Sequence, residues 1–583
     1  MKSVKIGTLH LDPVRNPAIL DTATWDIPAA IRLFKQMDAT EWASLRASLA
    51  DGRPGGIVQK RGAAFYLSST MSFEGGICLL ATLPDSQRAI LHIYAPGAGE
   101  ALDGSHSVFR DDSMSVSLYA AEYETLHTLI RRLNPLKGPR ALGSVPRIGI
   151  GSRNSTLAWP AVYRSMKSGG FAANSIQNSM REIGTLQEVS TNEAVDRSYL
   201  YGFGEVPPAY TGATFEGVWT YGVLEALSSD FLPIFGADAD HLQLKSDVRS
   251  VERMKKILNA ARHYSFFTMD ISQIADYQAM FRTSLSGAAE LLDRHIPQDA
   301  LRKDVLMWHR QRYWFNGREY RFDEALLGRL VGKYWEALSL LEKYFHLIRD
   351  MKQGEPFDFE LTIDEVPPGI HTHEIITGEE ELLFLLNEAE RRGLSLTHVA
   401  PNFGIEKTTD YCGPDGLEGL FRRVRNLHAI AEQYGLMLDC HSGDDLSDET
   451  RHVFGRATGG RIHYKISPSI GDVFAETLFD YDRERFMVWW NDTMEFARKC
   501  AAEGSGLATA LLASRDRRGN GTPNPKDFLF KEFKFTMPGR KDSTGQMDGR
   551  EFFYDLPEDF KNEYSARVEK WILQVSRSLF DYQ

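Results

Sequence analysis

Short apolar runs alternate with longer helical patterns from Arg147 onward. Eight such runs end in Gly, Asp, Asn, Ser or His: RIGIG (147–151), GGFAANS (169–175), LPIFGADADH (232–241), YSFFTMD (264–270), FDFELTIDE (357–365), SLTHVAPN (395–402), LMLDCHS (436–442) and RIHYKIS (461–467). Eight strands that are each followed by a helix predict an α/β fold of the (β/α)8 TIM-barrel type. A doubly wound open sheet has the same order of elements, but eight units in succession favour a closed barrel.

The pattern of apolar, helical and polar segments along the chain predicts three regions. Residues 1–140 contain alternating apolar runs such as GGICLLATL and a closing helix, YETLHTLIRRL, which predict an N-terminal mixed α/β domain. Residues 145–480 form the predicted barrel, with an aromatic-rich helical insertion at 275–352. Residues 481–583 are predicted to be a C-terminal helical extension with a polar loop, SRDRRGNGTPNPKDF, before the last helix.

Composition narrows the class of protein. The net charge of −12 and the lack of a basic stripe argue against binding to nucleic acid. Four cysteines without a CxxC pair indicate a reducing compartment, and we expect a cytoplasmic protein because neither a signal peptide nor a long apolar stretch is present. The aromatic side chains of the insertion are packing residues, a lid, or the face of a homo-oligomer.

Polar side chains collect at the ends of the predicted strands, which is where barrel enzymes place their functional groups. His441 and His463 lie on the seventh and eighth strands, and strand alternation puts His463 and Lys465 on one face. Two histidines on neighbouring strands suit a shared divalent cation, and TIDE on the fifth strand offers Asp364 and Glu365 as a third ligand. The alternative is that each histidine is a hydrogen-bonded core residue.

The third and fourth strands offer acid and base groups. Asp238 and Asp240 alternate on one face of GADADH, His241 opens the following loop, and Asp270 ends FFTMD. Such side chains suit proton transfer, although one aspartate could instead cap a helix and Asp270 could bind a substrate hydroxyl. No G-x-G-x-x-G, GxxxxGK[ST] or GxSxG motif is present, so we expect neither a dinucleotide nor a phosphate-loop site.

Six motifs occur in a characteristic order: GADADH, FFTMD, LTIDE, APNFGIEKTTDY, HSGDD and HYKIS. Over roughly residues 145–480 this order resembles the bacterial tagaturonate epimerase family, of which the chain would be a divergent and longer member. The resemblance implies a metal-dependent epimerase that interconverts tagaturonate and fructuronate, two keto-uronates that differ at the carbon β to the ketone.

The implied chemistry is retro-aldol cleavage and re-addition through an enediolate held by the metal, because the C–H at that carbon is not acidic. A divalent cation is implied, with Zn, Mn, Co, Ni and Fe all compatible with the ligand set. Asp238, Asp270 and Lys465 are the catalytic candidates. The metal candidates are His241, Glu365, His441 and His463. The substrate-binding candidates are Arg153, Asn174, Ser175, Asp240, Lys245, Asn402 and Lys407.

The sequence departs from the family pattern in three places. Gln177 and Leu446 stand where cations are expected, so a substrate carboxylate would lose two partners unless Arg153, Lys245 and Lys407 compensate. About 140 residues also precede the barrel. Three alternatives to the epimerase stay open: a sugar isomerase, an aldolase on the same barrel, and an inactive sugar-binding relative.

Overall fold

The computed structural model describes residues 4–19, 26–50, 56–73, 75–191, 198–200, 204–206, 209–282, 284–366, 371–406, 409–441, 443–517, 521–547 and 549–581; for residues 50, 198–200 and 204–206 it describes the backbone alone. Within these ranges, no helix is both long and apolar enough to cross a membrane.

The N-terminal region is a mixed α/β structure, as predicted. Its elements are β1 (Val4–Ile6), β2 (Leu9–Leu11), α1 (Ile27–Phe34), α2 (Ala39–Ala50), β3 (Ile57–Lys60), β4 (Ala63–Tyr66), β5 (Met71–Phe73), β6 (Gly76–Thr82), β7 (Arg88–Tyr94), β8 (His106–Arg110), β9 (Ser115–Ala120) and α3 (Tyr123–Leu133). Strands β3 to β9 form one sheet in the order β3-β4-β6-β7-β9-β8, with β5 paired to β6. One face of this sheet packs on α1 and α2 around Phe34, Trp42 and Phe65.

The first half of the barrel follows. Its elements are β10 (Arg147–Ile150), α4 (Ser155–Gly169), β11 (Ala172–Ser179), α5 (Leu186–Ser190), β12 (Ser198–Leu200), β13 (Gly204–Val206), α6 (Phe215–Ser228), β14 (Phe235–Gln243), α7 (Val248–Ala260) and β15 (Phe266–Asp270). Strands β12 and β13 form a separate two-stranded sheet outside the barrel.

The described part of the predicted helical insertion contains three α-helices. It also contains one hairpin, which the sequence did not predict. The elements are α8 (Leu285–His295), α9 (Asp299–Trp308), β16 (Tyr313–Phe315), β17 (Arg318–Tyr320) and α10 (Glu324–Lys352). Strands β16 and β17 pair across a turn at Asn316 and Gly317, both of which have positive φ, at 48° and 75°. A left-handed turn followed by aromatic strands explains why this short segment departs from the helical pattern.

The remaining elements complete the barrel and the C-terminal extension. They are β18 (Asp358–Thr362), α11 (Glu379–Arg391), β19 (His398–Ala400), α12 (Gly416–Gln433), β20 (Met437–Cys440), α13 (Asp448–Thr458), β21 (Ile462–Ile466), α14 (Pro468–Tyr481), α15 (Arg483–Ala502), α16 (Gly506–Arg517), α17 (Phe528–Phe533), α18 (Arg550–Tyr554) and α19 (Glu558–Phe580). Residues 514–517 (SRDR), at the start of the predicted polar loop, belong to α16.

Eight strands close into one barrel in the order β10-β11-β14-β15-β18-β19-β20-β21, so the predicted fold class is confirmed and each of the eight predicted strands is present. Strand β15 shows why these segments form barrel strands. Phe266, Thr268 and Asp270 alternate with Phe267 and Met269, and all five are buried, because a parallel strand in a barrel is covered on both faces.

The chain divides into two compact units. One comprises residues 1–140, 150–237 and 467–573, and the other comprises residues 141–149, 238–466 and 574–583. The second unit contains most of the predicted acid, base and metal-binding residues. The division into 1–140, 145–480 and 481–583 stays a prediction.

Candidate active site

Inward-facing positions of five barrel strands, β14, β15, β18, β20 and β21, bring a set of polar and charged side chains together inside the second unit. The set comprises Asp238, Asp240, Thr268, Asp270, Glu360, Asp439, His463 and Lys465. Strand register explains the grouping, because Thr268 on β15 is paired with Glu360 on β18, and Asp439 on β20 is paired with His463 on β21. Adjacent inward residues on paired strands lie within contact distance.

Lys465 is the centre of what we call the lysine cluster: Lys465, Asp238, Asp240, Thr268 and Glu360. Its ammonium nitrogen lies 3.0 Å from Asp238 Oδ2, 3.0 Å from Asp240 Oδ1 and 2.8 Å from Glu360 Oε2. It also lies 2.8 Å from the hydroxyl of Thr268. An ammonium group has three hydrogens to donate. All of them are therefore engaged by the cluster itself.

The protonation states within the lysine cluster follow from this arrangement. Burial opposes a charged Lys465, but Asp238, Asp240 and Glu360 hold its pKa well above the ordinary value. Burial raises the pKa of Asp238 to about 7, against the influence of Lys465. The pKa values of Asp240 and Glu360 are lowered, because in each case Lys465 and neighbouring histidine outweigh the effect of burial. Buried charges persist only when they are paired in this way.

His441 is the centre of a second group, the histidine cluster: His241, Asp270, Asp364 and His441. Its Nδ1 lies 3.3 Å from Asp364 Oδ1, and its ring centroid lies 4.8 Å from that of His241. His241 Nδ1 in turn lies 3.7 Å from Asp270 Oδ2. On the other side of the ring, His441 Nε2 lies 2.9 Å from Glu360 Oε1, so the two clusters meet at His441.

The charge around His441 favours a cation. Burial and Lys465 oppose protonation of the ring, yet Glu360, Asp364 and Asp439 hold the pKa of His441 well above its ordinary value. A position that attracts a proton this strongly also attracts a metal cation, which competes for the same nitrogen.

His241 has an unusual backbone that brings it into the cluster. Its φ is +44°, a left-handed value that is uncommon for a residue with a side chain. The pairing of β14 with β15 shifts register between Ala239 and Leu242, so His241 lies in a local irregularity of the strand. Such irregularities redirect side chains at functional sites, and here Asp240 and His241 both face the interior.

Two groups of side chains among the described residues could hold a metal ion. His241, Asp364 and His441 offer three ligand atoms within 4.8 Å of one another, and so do Glu360, Asp439 and His441. Two histidines and one carboxylate are a common catalytic metal set. The second group is less suitable, because Lys465 lies 2.8 Å from Glu360 and 3.8 Å from Asp439 and would repel a cation there.

Buried polar atoms also fit a cation in the histidine cluster. Oδ2 of Asp270 is fully buried and accepts no hydrogen bond from the part of the chain that the structure describes. Asp270 and Asp364 are two carboxylates beside the rings of His241 and His441. The first set of residues therefore fits a divalent cation.

Two of the predicted metal ligands are placed elsewhere. His463 is fully buried, and its Nδ1 lies 2.7 Å from Asp439 Oδ2. Burial and Arg147 hold the pKa of His463 well below its ordinary value, and its ring packs against Phe266 and His398. Glu365 is buried, but among the described residues Asp364, not Glu365, joins His241 and His441 in a metal-binding group.

The substrate-binding candidates of the second unit differ in their surroundings. Asp240 is engaged by Lys465, as described above. Asn402 is buried and binds its own loop, since Nδ2 donates to the carbonyl groups of Thr372 and Ile375 and Oδ1 accepts from Gly404 N. Lys245 is exposed directly after β14. Lys407 lies outside the described residues.

The remaining candidates lie in the first unit. Arg153 is buried and contacts Glu182 Oε1 at 2.7 Å, Ser467 Oγ at 2.9 Å and Tyr210 OH at 3.2 Å. Asn174 is also buried. Ser175 Oγ lies 3.1 Å from Tyr163 OH on α4, a contact with the surrounding helix layer that favours a packing role for Ser175.

Sequence reasoning missed two residues of the lysine cluster. Glu360 and Thr268 lie in the middle of their strands, where no strand-end signal marks them. In the first unit, Arg181 is buried two residues after β11, and its Nε donates to Ser179 Oγ at 3.1 Å.

The chain is similar in sequence to known epimerases. Residues 209–470 match the family model of UxaE, tagaturonate epimerase. A tagaturonate/fructuronate epimerase from Thermotoga maritima is 28% identical over 378 residues, covering 63% of this chain and 67% of the relative. These findings define an enzyme of the isomerase class, a carbohydrate epimerase on a (β/α)8 barrel. More particularly, the predicted resemblance to the tagaturonate epimerase family is confirmed, and residues 209–470 carry the match to its model.

Solved structures show the same fold. The fructuronate-tagaturonate epimerase UxaE from Cohnella laeviribosi, in a glycerol complex, superimposes with a TM-score of 0.65 at 19% identity, covering 93% of this chain and 99% of the other. The native form of the same protein gives a TM-score of 0.63 at 19% identity. Because 93% of the chain is covered, the likeness reaches into the N-terminal region, which sequence analysis treated as an addition.

Proposed function

We propose that the protein is a divalent-metal-dependent epimerase that interconverts tagaturonate and fructuronate at C4. The observation that carries the proposal is the grouping of His241, Asp364 and His441 within 4.8 Å at the ends of barrel strands. The Thermotoga maritima relative, a tagaturonate/fructuronate epimerase, supplies the substrate pair. These three residues are the ligands that would hold the metal, in place of the set with Glu365 and His463.

The chemistry proposed is retro-aldol cleavage followed by aldol addition. A carboxylate removes the proton of the C4 hydroxyl, the C3–C4 bond breaks, and its electron pair passes to the ketone as an enediolate while C4 becomes an aldehyde. The aldehyde rotates, the C3–C4 bond re-forms on its other face, and the proton returns to the C4 oxygen. A bound divalent cation supplies Lewis-acid stabilisation of negative oxygen during this sequence.

The chain's own residues divide the remaining work. Asp238 and Asp270 are the proposed acid/base groups, and the raised pKa of Asp238, about 7, suits a carboxylate that gains and loses a proton near neutral pH. Lys465 holds Asp238, Asp240 and Glu360 in place and has no hydrogen left for a substrate oxyanion. Its proposed role is therefore to fix the carboxylates. Lys245 is the proposed partner of the substrate carboxylate.

The test combines activity and isotope labelling. Purified protein is incubated with fructuronate and Zn²⁺, Mn²⁺ or Co²⁺, and products are followed by NMR in D₂O. Tagaturonate that retains hydrogen at C4 is expected, because cleavage of C3–C4 never removes that hydrogen. Deuterium at C4 would exclude the retro-aldol route, and the absence of any tagaturonate with all three metals would exclude the epimerase.

The role of the ligands is tested in the same assay. His441→Gln removes the residue shared by both candidate metal groups. We expect the variant to lose bound metal and at least a hundredfold of its activity, which corresponds to about 3 kcal/mol in the activation free energy. His452→Gln, at an exposed position on α13, is the matched control and is expected to behave as the wild type. Full activity in His441→Gln would reject the assignment.

A further inference from the structure

Tyr277 connects the helical insertion to the turn that carries Asp364. Its hydroxyl donates to the backbone carbonyl of Glu365 at 3.3 Å. Glu365 is the residue directly after Asp364, whose carboxylate lies 3.3 Å from His441 Nδ1. This carbonyl belongs to the peptide unit that follows Glu365, and only the φ and ψ of Glu365 separate it from the peptide unit that joins Asp364 to Glu365. Holding the carbonyl therefore restrains the turn that presents Asp364 to the histidine cluster.

The phenol is suited to act as a permanent hydrogen-bond donor. Burial, followed by the charges of Asp270, Glu381 and Asp364, holds the pKa of Tyr277 well above its ordinary value. The hydroxyl consequently keeps its proton throughout the physiological pH range. A phenolate could not donate to a carbonyl oxygen.

The insertion holds Tyr277 rigidly. The ammonium of Lys333 on α10 lies 4.6 Å from the centre of the Tyr277 ring and 2.6 Å from Glu381 Oε1. The backbone N–H of Asp276, the residue before Tyr277, donates to the carbonyl of Lys333 at 3.0 Å. Lys333 thus binds the residue before the tyrosine through its carbonyl and stabilises the ring through its charge.

Helix α10, which carries Lys333, packs closely against helix α8. A Cβ at Gly328 on α10 would lie 2.4 Å from the carbonyl oxygen of Ala288 on α8, so only glycine allows the two helices to approach this closely. Close helix packing limits the movement of α10, and with it Lys333 and Tyr277.

We propose that Tyr277 is a positioning residue, through which the insertion orders the Asp364 turn for metal binding. This inference rests on the proposed function, because it assumes a metal at His241, Asp364 and His441. Residues that support metal ligands without touching the metal typically change metal affinity by about 10–100-fold when they are altered.

The test is a titration of Zn²⁺ into metal-free wild type and Tyr277→Phe. The Kd for Zn²⁺ is expected to rise about tenfold in Tyr277→Phe, while kcat at saturating Zn²⁺ stays at the wild-type value. Tyr320→Phe is the matched control: it removes a hydroxyl of the same insertion that donates to Glu379 Oε2 at 2.5 Å, away from Asp364. Its Kd is expected to be unchanged, and the midpoint of denaturant unfolding is measured for both variants.

Three results would overturn the inference. An unchanged Kd in Tyr277→Phe would do so, as would a lower kcat at saturating Zn²⁺ without a change in Kd, which would indicate direct participation in the reaction. A wild type that binds no Zn²⁺ would overturn the inference together with the metal site of the proposed function. The first two results would overturn the inference alone and leave the metal site of the proposed function in place.

Discussion

The lysine cluster and the histidine cluster meet at the imidazole of His441. Both contain buried carboxylates, but the positive charge that stabilises those carboxylates differs between the two clusters. Lys465 places a permanent cation within 3.0 Å of three buried carboxylates. Asp270 and Asp364 instead face histidine rings, whose charge depends on protonation. In the lysine cluster the counter-charge is a side chain of the barrel. In the histidine cluster the counter-charge depends on protonation of a ring or on an added cation.

The largest expected effect is loss of the resident cation. Lys465→Met leaves Asp238, Asp240 and Glu360 buried without the ammonium that all three contact, and removing one partner of a buried ion pair costs roughly 3–5 kcal/mol. The free energy of unfolding is measured with denaturant. Lys352→Met is the matched control, because Lys352 is also buried but donates mainly to the carbonyl oxygens of Arg262 and Tyr264.

The outcome separates charge from size. If Lys465→Met costs no more than Lys352→Met, the three carboxylates do not depend on the ammonium and the comparison fails. Should Lys465→Met not accumulate as a folded protein, the double variant with Glu360→Gln is used. It is expected to be more stable than the single variant, because one uncompensated charge is gone.

Sequence reasoning reached the scaffold better than the site. All eight strands follow from apolar runs of limited length that end in polar residues, and burial on both faces makes such runs easy to recognise. Strand alternation also correctly predicted that Asp238 and Asp240 face the same way, since both contact Lys465. The hairpin β16–β17 was missed because its aromatic residues fit a helical pattern equally well.

The ligand set was harder to predict for a physical reason. Strand β18 ends at Thr362, so alternation no longer decides whether Asp364 or Glu365 points inward. His463 does face inward, but it is buried in the barrel beside Phe266 and His398. Strand alternation predicts which side chains face inward, but not whether they lie deep in the barrel or at its open end. His241 enters the cluster through a left-handed backbone that no periodic pattern predicts.

An intermediate effect is expected from the added cation. A ligand at 100 times its Kd stabilises the folded state by about 2.7 kcal/mol. Zn²⁺ at that ratio should therefore raise the Tm of the wild type, and Asp364→Asn should abolish the shift. Asp439→Asn should retain most of it, because Asp439 belongs to the group that Lys465 disfavours. If Asp439→Asn abolished the Tm shift and Asp364→Asn retained it, the metal would be assigned to Glu360, Asp439 and His441.

The smallest effect is expected from the residue that orients a ligand. Asp270 Oδ2 lies 3.7 Å from His241 Nδ1, and Asp270 Oδ1 accepts a hydrogen bond from Ser272 N at 2.9 Å, which fixes the carboxylate. Asp270→Asn removes the charge behind His241 and should raise the Kd for Zn²⁺ about 10-fold, equivalent to about 1.4 kcal/mol. Asp247→Asn, a helix cap of α7 outside both clusters, is the control and should leave the Kd unchanged. Activity should fall as well, because Asp270 is also a proposed acid/base group. If activity falls while the Kd is unchanged, Asp270 does not act through His241, and the histidine cluster is reduced to its three ligands.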